Sequence, residues 1–250
     1  MKAYLDFNII VSLRKGEITL DNLKQIDDNI RDFPFSASHI QEIDNISHTD
    51  LNTRDEYINQ HLEIIKMTSN SLYFYLKMNN EVQLINEPPS EVLKTIREVP
   101  FAKAAMQSFV NLTNANQKED VRKNLGIKIN ELNNYSPKDL IIYFDTILEK
   151  SNCTFLDLIE NSIKLNVNGD TFGLSERFAV AYEMLDLFGY WKDKQTDTSN
   201  YARLWDSNHA FFAAHCNYFI SNDHRNRSKA RVVYDLYNIG TKVIDSQGQL

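Results

Sequence analysis

An α/β fold is what the sequence predicts: a parallel sheet flanked by helices, made from the two ends of the chain and interrupted by a large all-helical insertion. Three observations predict it. Short apolar, β-favouring runs sit near the termini, at AYL (3–5), NYFISN (217–222) and TKVID (241–245). Residues with helical spacing separate the last two runs. Between about 51 and 190, apolar residues recur three and four apart, and no convincing strand is found among them. Strands separated by helices imply a parallel sheet covered on both faces, with right-handed connections and active sites outside the carboxyl ends of the strands.

Taken in order, AYLDFNIIVSL predicts a buried strand over Ala3 to Leu5, with Asp6 at its carboxyl end and a helix after it. In FPFSASHIQEI (33–43), Ser38 and Gln41 have capping-box spacing, which places Glu42 one helical turn beyond the cap. Helices are predicted for LNTRDEYINQHLEIIKM, EVLKTIREV, SPKDLIIYFDTILEK and TFLDLIENSIKL, the third opened by Ser136 as N-cap and Pro137 at the first helical position. Pro88-Pro89 and NVNGD (166–170) punctuate this region. The aromatics of NSLYFYLKMNN, read at helical spacing, are expected in the core, with base stacking as the alternative. A helix over 175–191 places Glu183 and Asp186 on its solvent side and ends in a polar loop, KDKQTDTSN.

Asp206 then precedes or opens the helix HAFFAAHC, and Asp223 ends the strand NYFISN. His209 and His215 are expected as packing residues. The last helix shows its period through Ala230, Val233, Leu236 and Tyr237, and Gly240 suits a left-handed C-terminal cap. The predicted division is a discontinuous α/β domain over 1–50 and 195–250 and a helical insertion over 51–194.

Composition narrows the class. A chain of 250 residues with 42% hydrophobic content can bury a full core. No apolar run approaches the ~18 residues of a membrane span, and MKAYLDFNIIVSL lacks a secretory pattern, so a cytoplasmic protein without a membrane partner is expected. Cys153 and Cys216 have no metal-ligand spacing and are expected as free thiols. The net charge of −7 argues against a surface that coats nucleic acid through general basicity. A polyanion would have to meet a local patch, and HRNRSKAR (224–231) supplies Arg225, Arg227, Lys229 and Arg231 directly after Asp223. A solvated helix start is the alternative reading of that run.

If the sheet is parallel, Asp6 and Asp223 emerge at one edge, and helix starts can bring Asp206 and Glu42 there. Carboxylates gathered within a few ångströms repel one another unless a cation compensates them. An oxygen-only set favours Mg²⁺ or Mn²⁺ over zinc, and those ions serve phosphodiester hydrolysis by acidifying a bound water and stabilising the leaving oxygen. Asp6 or Asp206 alone is better explained as a turn or cap residue, but four acids in this order at strand ends and helix starts are harder to explain so.

YLDFNII, SASHIQEI and DSNHAFFAAHCNYFISNDHR resemble the three acidic motifs of the PIN-domain nucleases. The resemblance covers roughly residues 1–50 and 195–250. It implies a PIN-like sheet, metal binding by Asp6, Glu42, Asp206 and Asp223, and Asn8 and Ser221 in supporting polar positions. It further implies a Mg²⁺- or Mn²⁺-dependent endoribonuclease of the toxin or defence kind, held in check by a partner protein and able to form a homodimer. Arg225, Arg227 and Lys229 would then hold phosphates flanking the cut bond. The long helical middle departs from the compact family pattern. The competing class is a catalytically inactive PIN-like binding or regulatory module acting through its helical insertion.

Overall fold

The computed structural model of the chain describes residues 1–98, 115–165, 169–192 and 197–250. These form two compact units. The first draws on Met1–Phe101, Phe212–Arg227 and Gly240–Leu250, the second on Ala102–Phe211 and Ser228–Ile239. The first unit therefore continues well past residue 50, where the sequence placed the start of the insertion. The reason is a β-hairpin hidden in that region.

The first unit contains β1 (Ala3–Leu5), α1 (Phe7–Arg14), α2 (Leu20–Lys24), β2 (Phe35–Ser36), α3 (Ala37–Asp44), α4 (Leu51–Ser69), β3 (Leu72–Leu76), β4 (Val82–Asn86) and α5 (Pro89–Glu98), joined by β5 (Tyr218–Ile220) and β6 (Lys242–Ile244). One sheet has the order β1-β5-β6 and is parallel throughout, with Leu5 opposite Ile220 and Ile220 opposite Ile244. All three residues of β1 and all three of β5 are buried, as strands of a covered parallel sheet require. The terminal strands thus follow the sequence expectation closely.

The second sheet, β2-β3-β4, does not. LYFYL, expected as part of a helix, is β3, which pairs with β2 in parallel and with β4 in antiparallel fashion. The hairpin turns through Asn80, whose φ of 66° is the left-handed conformation that asparagine tolerates, and Lys77 N–H donates to Glu81 O at 2.9 Å across the turn. Tyr73 and Phe74 are buried on opposite faces of the strand, so aromatics adjacent in sequence serve two different packing surfaces. Tyr73 packs on Phe35 and Phe74 on Phe212. Tyr73 and Phe74 meet the expectation of core aromatics, Tyr75 at 45% exposure does not, and the secondary structure of all three is corrected.

Helical periodicity supplies the rest of this core. Ile9 and Ile10 of α1, Ile40 and Ile43 of α3, Ile58, Leu62 and Ile65 of α4, and Val92 and Leu93 of α5 pack with Leu5, Ile220 and Ile244 of the parallel sheet. His61 also turns inward from α4. Its ring stacks on Phe7 at 5.5 Å, and its Nδ1 lies 2.7 Å from Tyr57 O, so Nδ1 carries the proton. Its Nε2 is buried with no hydrogen-bond partner among the described residues. Burial lowers the His61 pKa and the Arg14 charge lowers it further. Burial likewise lowers that of His215, which packs on Phe74, with Lys2 adding to the effect.

For both histidines the unfolded chain takes up protons at a higher pH than the folded one. Their contribution to stability is present above the ordinary histidine pKa of about 6.5 and is lost as pH falls through the depressed folded values. Acidification from about pH 7 to about pH 5 is expected to destabilise the first unit, and His61→Phe, which keeps the stack on Phe7, to lessen that loss. Urea unfolding followed by circular dichroism at the two pH values checks this; an identical loss in both proteins would remove His61 from the account.

The second unit is helical over its described residues: α6 (Ala115–Leu125), α7 (Ile129–Leu132), α8 (Pro137–Leu148), α9 (Phe155–Lys164), α10 (Leu174–Phe188) and most of α11 (Asp197–Ala213) and α12 (His224–Leu236). Ser136 caps α8 with Pro137 at its first position, as expected. Phe144, Phe155 and Phe188 form its aromatic centre, with ring centroids 4.8, 4.9 and 5.7 Å apart in edge or tilted geometry. Gly189 ends α10 at φ 98°, a conformation that L side chains rarely adopt. At the other helix end expected to use glycine, Asn238 takes the left-handed conformation (φ 54°) instead of Gly240.

Asp186 is not on a solvent face. It is 2% exposed and bonded to Lys118 Nζ at 2.7 Å, with Arg203 Nη1 at 3.5 Å. Glu183, 41% exposed in its side chain, receives Arg203 Nε at 2.7 Å. Arg122 donates to the carbonyls of Asp186 and Leu187. The cations come from α6 and α11, which is why the sequence of α10 alone misplaces these acids. Expectations for the loop residues 193–196 and for Asn166–Asn168 lie outside the described residues.

Candidate active site

Asp6 follows β1 directly and Ser221-Asn222-Asp223 follows β5, so the parallel register of Leu5 with Ile220 delivers both to the same sheet edge. Asp6 N–H continues the ladder to Ile220 O at 2.8 Å. The Asp6 side chain then caps α1, its Oδ1 accepting from Phe7 N–H at 2.8 Å. Its Oδ2 accepts from Asn8 Nδ2 at 2.7 Å, Ser221 Oγ at 2.5 Å and Asn226 Nδ2 at 3.2 Å. The residue is 4% exposed.

Ser221 Oγ is the centre of this arrangement. While donating to Asp6, it accepts from Asn8 Nδ2 and from Asp223 N–H, each at 3.1 Å. Asn8 Oδ1 accepts from Asn222 N–H at 2.9 Å, and Asn222 Oδ1 from Ser246 N–H at 3.0 Å, which ties the loop after β5 to the chain after β6. Asp223 Oδ1 accepts from Arg225 and Asn226 N–H at 2.7 and 3.2 Å and so caps α12. Its Oδ2 takes no hydrogen bond from the described residues, and Asp223 is exposed.

The expected residues fall into three groups. Asp6, Asn8, Ser221 and Asp223 are brought together. Glu42 lies in the same unit on α3; its charge and that of Asp6 both add to the rise in the Tyr4 pKa, which burial drives well above the ordinary phenol value. The cap before it is corrected: Ser36 and His39 form the capping box, not Ser38 and Gln41, so α3 starts at Ala37 and Glu42 belongs to its second turn. Asp206 belongs to the second unit, half-buried in the interior of α11, which begins at Asp197 and not at 206. Helical spacing through Trp205, His209 and Phe212 carries that helix back into what reads as polar loop.

The basic run is also corrected. Arg225 is exposed, but Arg227 is 7% exposed and donates through Nη1 to Ser221 O at 2.7 Å, holding the Ser-Asn-Asp loop. Lys229 is 1% exposed and belongs to the second unit. The run is neither a solvated face nor a row of free phosphate ligands. Sequence reading missed Asn226 and His39. Asn226 was traceable three residues beyond Asp223, where a helix-start side chain can turn back toward the strand end.

The donor set is oxygen-rich and without thiolate, the kind that hard divalent cations take. Asp223 Oδ2 is ready to serve. Asp6 already accepts four hydrogen bonds, about the full capacity of a carboxylate, so binding there requires exchange of a donor, the 3.2 Å bond from Asn226 being the longest. Among the described residues, no group of three or more His, Cys, Asp or Glu side chains is arranged to hold a metal ion. Among them, too, no helix is long and apolar enough to cross a membrane.

Compared with known proteins, the chain matches no family model, no curated protein and no solved structure.

Proposed function

We propose that the chain is a Mg²⁺- or Mn²⁺-dependent nuclease that hydrolyses phosphodiester bonds in RNA, in the manner of the PIN-domain enzymes its motifs resemble. One observation carries this reading: Asp6 and Asp223, at the carboxyl ends of neighbouring parallel strands, are linked through a single hydroxyl, Ser221 Oγ. Asp6, Asp223 and Glu42, all in the first unit, would hold the ion. The chemistry supplied by such an ion is a water acidified for attack and a polarised phosphoryl oxygen. Ser221 and Asn8 orient the Asp6 carboxylate, and Arg227 fixes the loop that carries Asp223. Arg225, exposed beside Asp223, positions a substrate phosphate without reading its base.

The four hydrogen bonds to Asp6 favour a second reading, in which the carboxylate only pins the strand end and the protein is an inactive binding module. Incubation of labelled single-stranded RNA and DNA with Mg²⁺, Mn²⁺ or chelator, beside an Asp223→Asn protein, separates the two. The nuclease reading expects metal-dependent RNA cleavage that Asp223→Asn slows by at least about 10-fold, the least that loss of a group merely orienting a ligand costs. The fold should survive, since asparagine caps a helix as well as aspartate does. RNA bound without cleavage, or cleavage that persists in chelator and in the variant, would instead sink it.

A further inference from the structure

We infer that His39 is a positioning residue that sets the acid site by closing the open edge of β1 at the residue before Asp6. β1 is an outer strand of the β1-β5-β6 sheet. Asp6 N–H points toward β5, where it meets Ile220 O, and backbone groups alternate in direction along a strand. Ala3 and Leu5 consequently face the open edge, where Ala3 N–H finds Asp32 O at 2.9 Å. At Leu5 the partner is a side chain: His39 Nε2 stands 2.7 Å from Leu5 O.

The two backbone partners of the ring decide its tautomer. A carbonyl oxygen only accepts, so Nε2 carries the proton, and Ser36 N–H, which only donates, reaches Nδ1 at 3.1 Å, so Nδ1 is bare. The neutral ring, 1% exposed, thus joins the end of β1 to the first turn of α3. Tyr4 OH completes the junction, 2.6 Å from Ser36 Oγ and 3.3 Å from His39 Nδ1. Glu42 follows His39 by three residues on α3, so the two share a helix face. One imidazole therefore fixes both the carbonyl preceding Asp6 and the helix that presents Glu42.

In its effect on cleavage the inference rests on the proposed nuclease reading; in its effect on the strand end it does not. His39→Glu keeps an acceptor for Ser36 N–H, as glutamate does in ordinary capping boxes, yet offers no proton to Leu5 O. His39→Gln offers both. Amide hydrogen exchange and RNA cleavage with Mn²⁺ are measured on both variants, on the wild type and on Asp6→Asn.

The expected result for His39→Glu is faster exchange at the Asp6 amide with Val243 of β6 unchanged, and kcat lower by about 100-fold at nearly constant KM, as for small misplacements of reacting groups. His39→Gln restores both. Asp6 exchange in His39→Glu equal to wild type overturns the inference, and so does an equal loss in His39→Glu and His39→Gln. Cleavage that is absent in the wild type, or unaffected by Asp6→Asn, removes the nuclease reading alone, and the Asp6 amide then decides the role of His39.

Discussion

Asp186→Asn is expected to lower the stability of the second unit by about 3–5 kcal/mol, the usual cost of removing one partner from a buried ion pair. Asp186, Lys118 and Arg203 are 2, 4 and 2% exposed, so water cannot take over the lost interaction. Glu183 would still face both cations, but its side chain is 41% exposed. The asparagine amide also presents donors where Lys118 and Arg203 already donate. The chain's two tryptophans, Trp191 and Trp205, both belong to the second unit, so urea unfolding followed by their fluorescence reads this unit directly. A loss below about 1 kcal/mol would mean that the cluster behaves like a solvated surface pair. Conversely, replacing Asp186 and Lys118 together by leucine and methionine should recover much of the loss, because the penalty lies in stranding a charge more than in lacking the pair.

On the proposed nuclease reading, Asp6→Asn is expected to have the largest effect on activity, lowering metal-dependent cleavage by more than about 100-fold, beyond the range for groups that merely orient a ligand. The carboxylate is buried and surrounded by donors alone, from Phe7, Asn8, Ser221 and Asn226. An asparagine must turn its NH₂ toward some of them, leaving donors face to face at a cost of about 1–3 kcal/mol. Thermal unfolding should therefore fall together with cleavage, in contrast to Asp223→Asn, where only cleavage falls. Full cleavage by Asp6→Asn would remove Asp6 from the active site and leave it as a cap of α1.

The contrast between legible and illegible features has physical causes. The strands AYL and YFI are buried on both faces, so each is a continuous apolar run, and polar residues mark where it stops. Asp6 and Asp223 were legible for the same reason, as the first acids beyond those runs. LYFYL escaped because two aromatic neighbours buried on opposite faces break the alternation that marks a half-exposed strand. The Asn79-Asn80 pair before Val82 was the available turn marker. Asp186 was illegible in principle, since its counter-ions come from helices distant in sequence. The true start of α3 was obscured by a histidine in the capping-box position usually held by glutamate or glutamine.

The bond between Ser221 and Asp6 spans 215 residues of chain, and β5 lies between β1 and β6. During translation, then, the acid pair cannot exist while β1 alone has left the ribosome. At the usual 5–20 residues per second, about 10–40 s pass before the nascent chain supplies Ser221. On the proposed nuclease reading, a protein built in this order would stay inert toward the message that encodes it until Ser221, just beyond β5, has emerged from the exit tunnel.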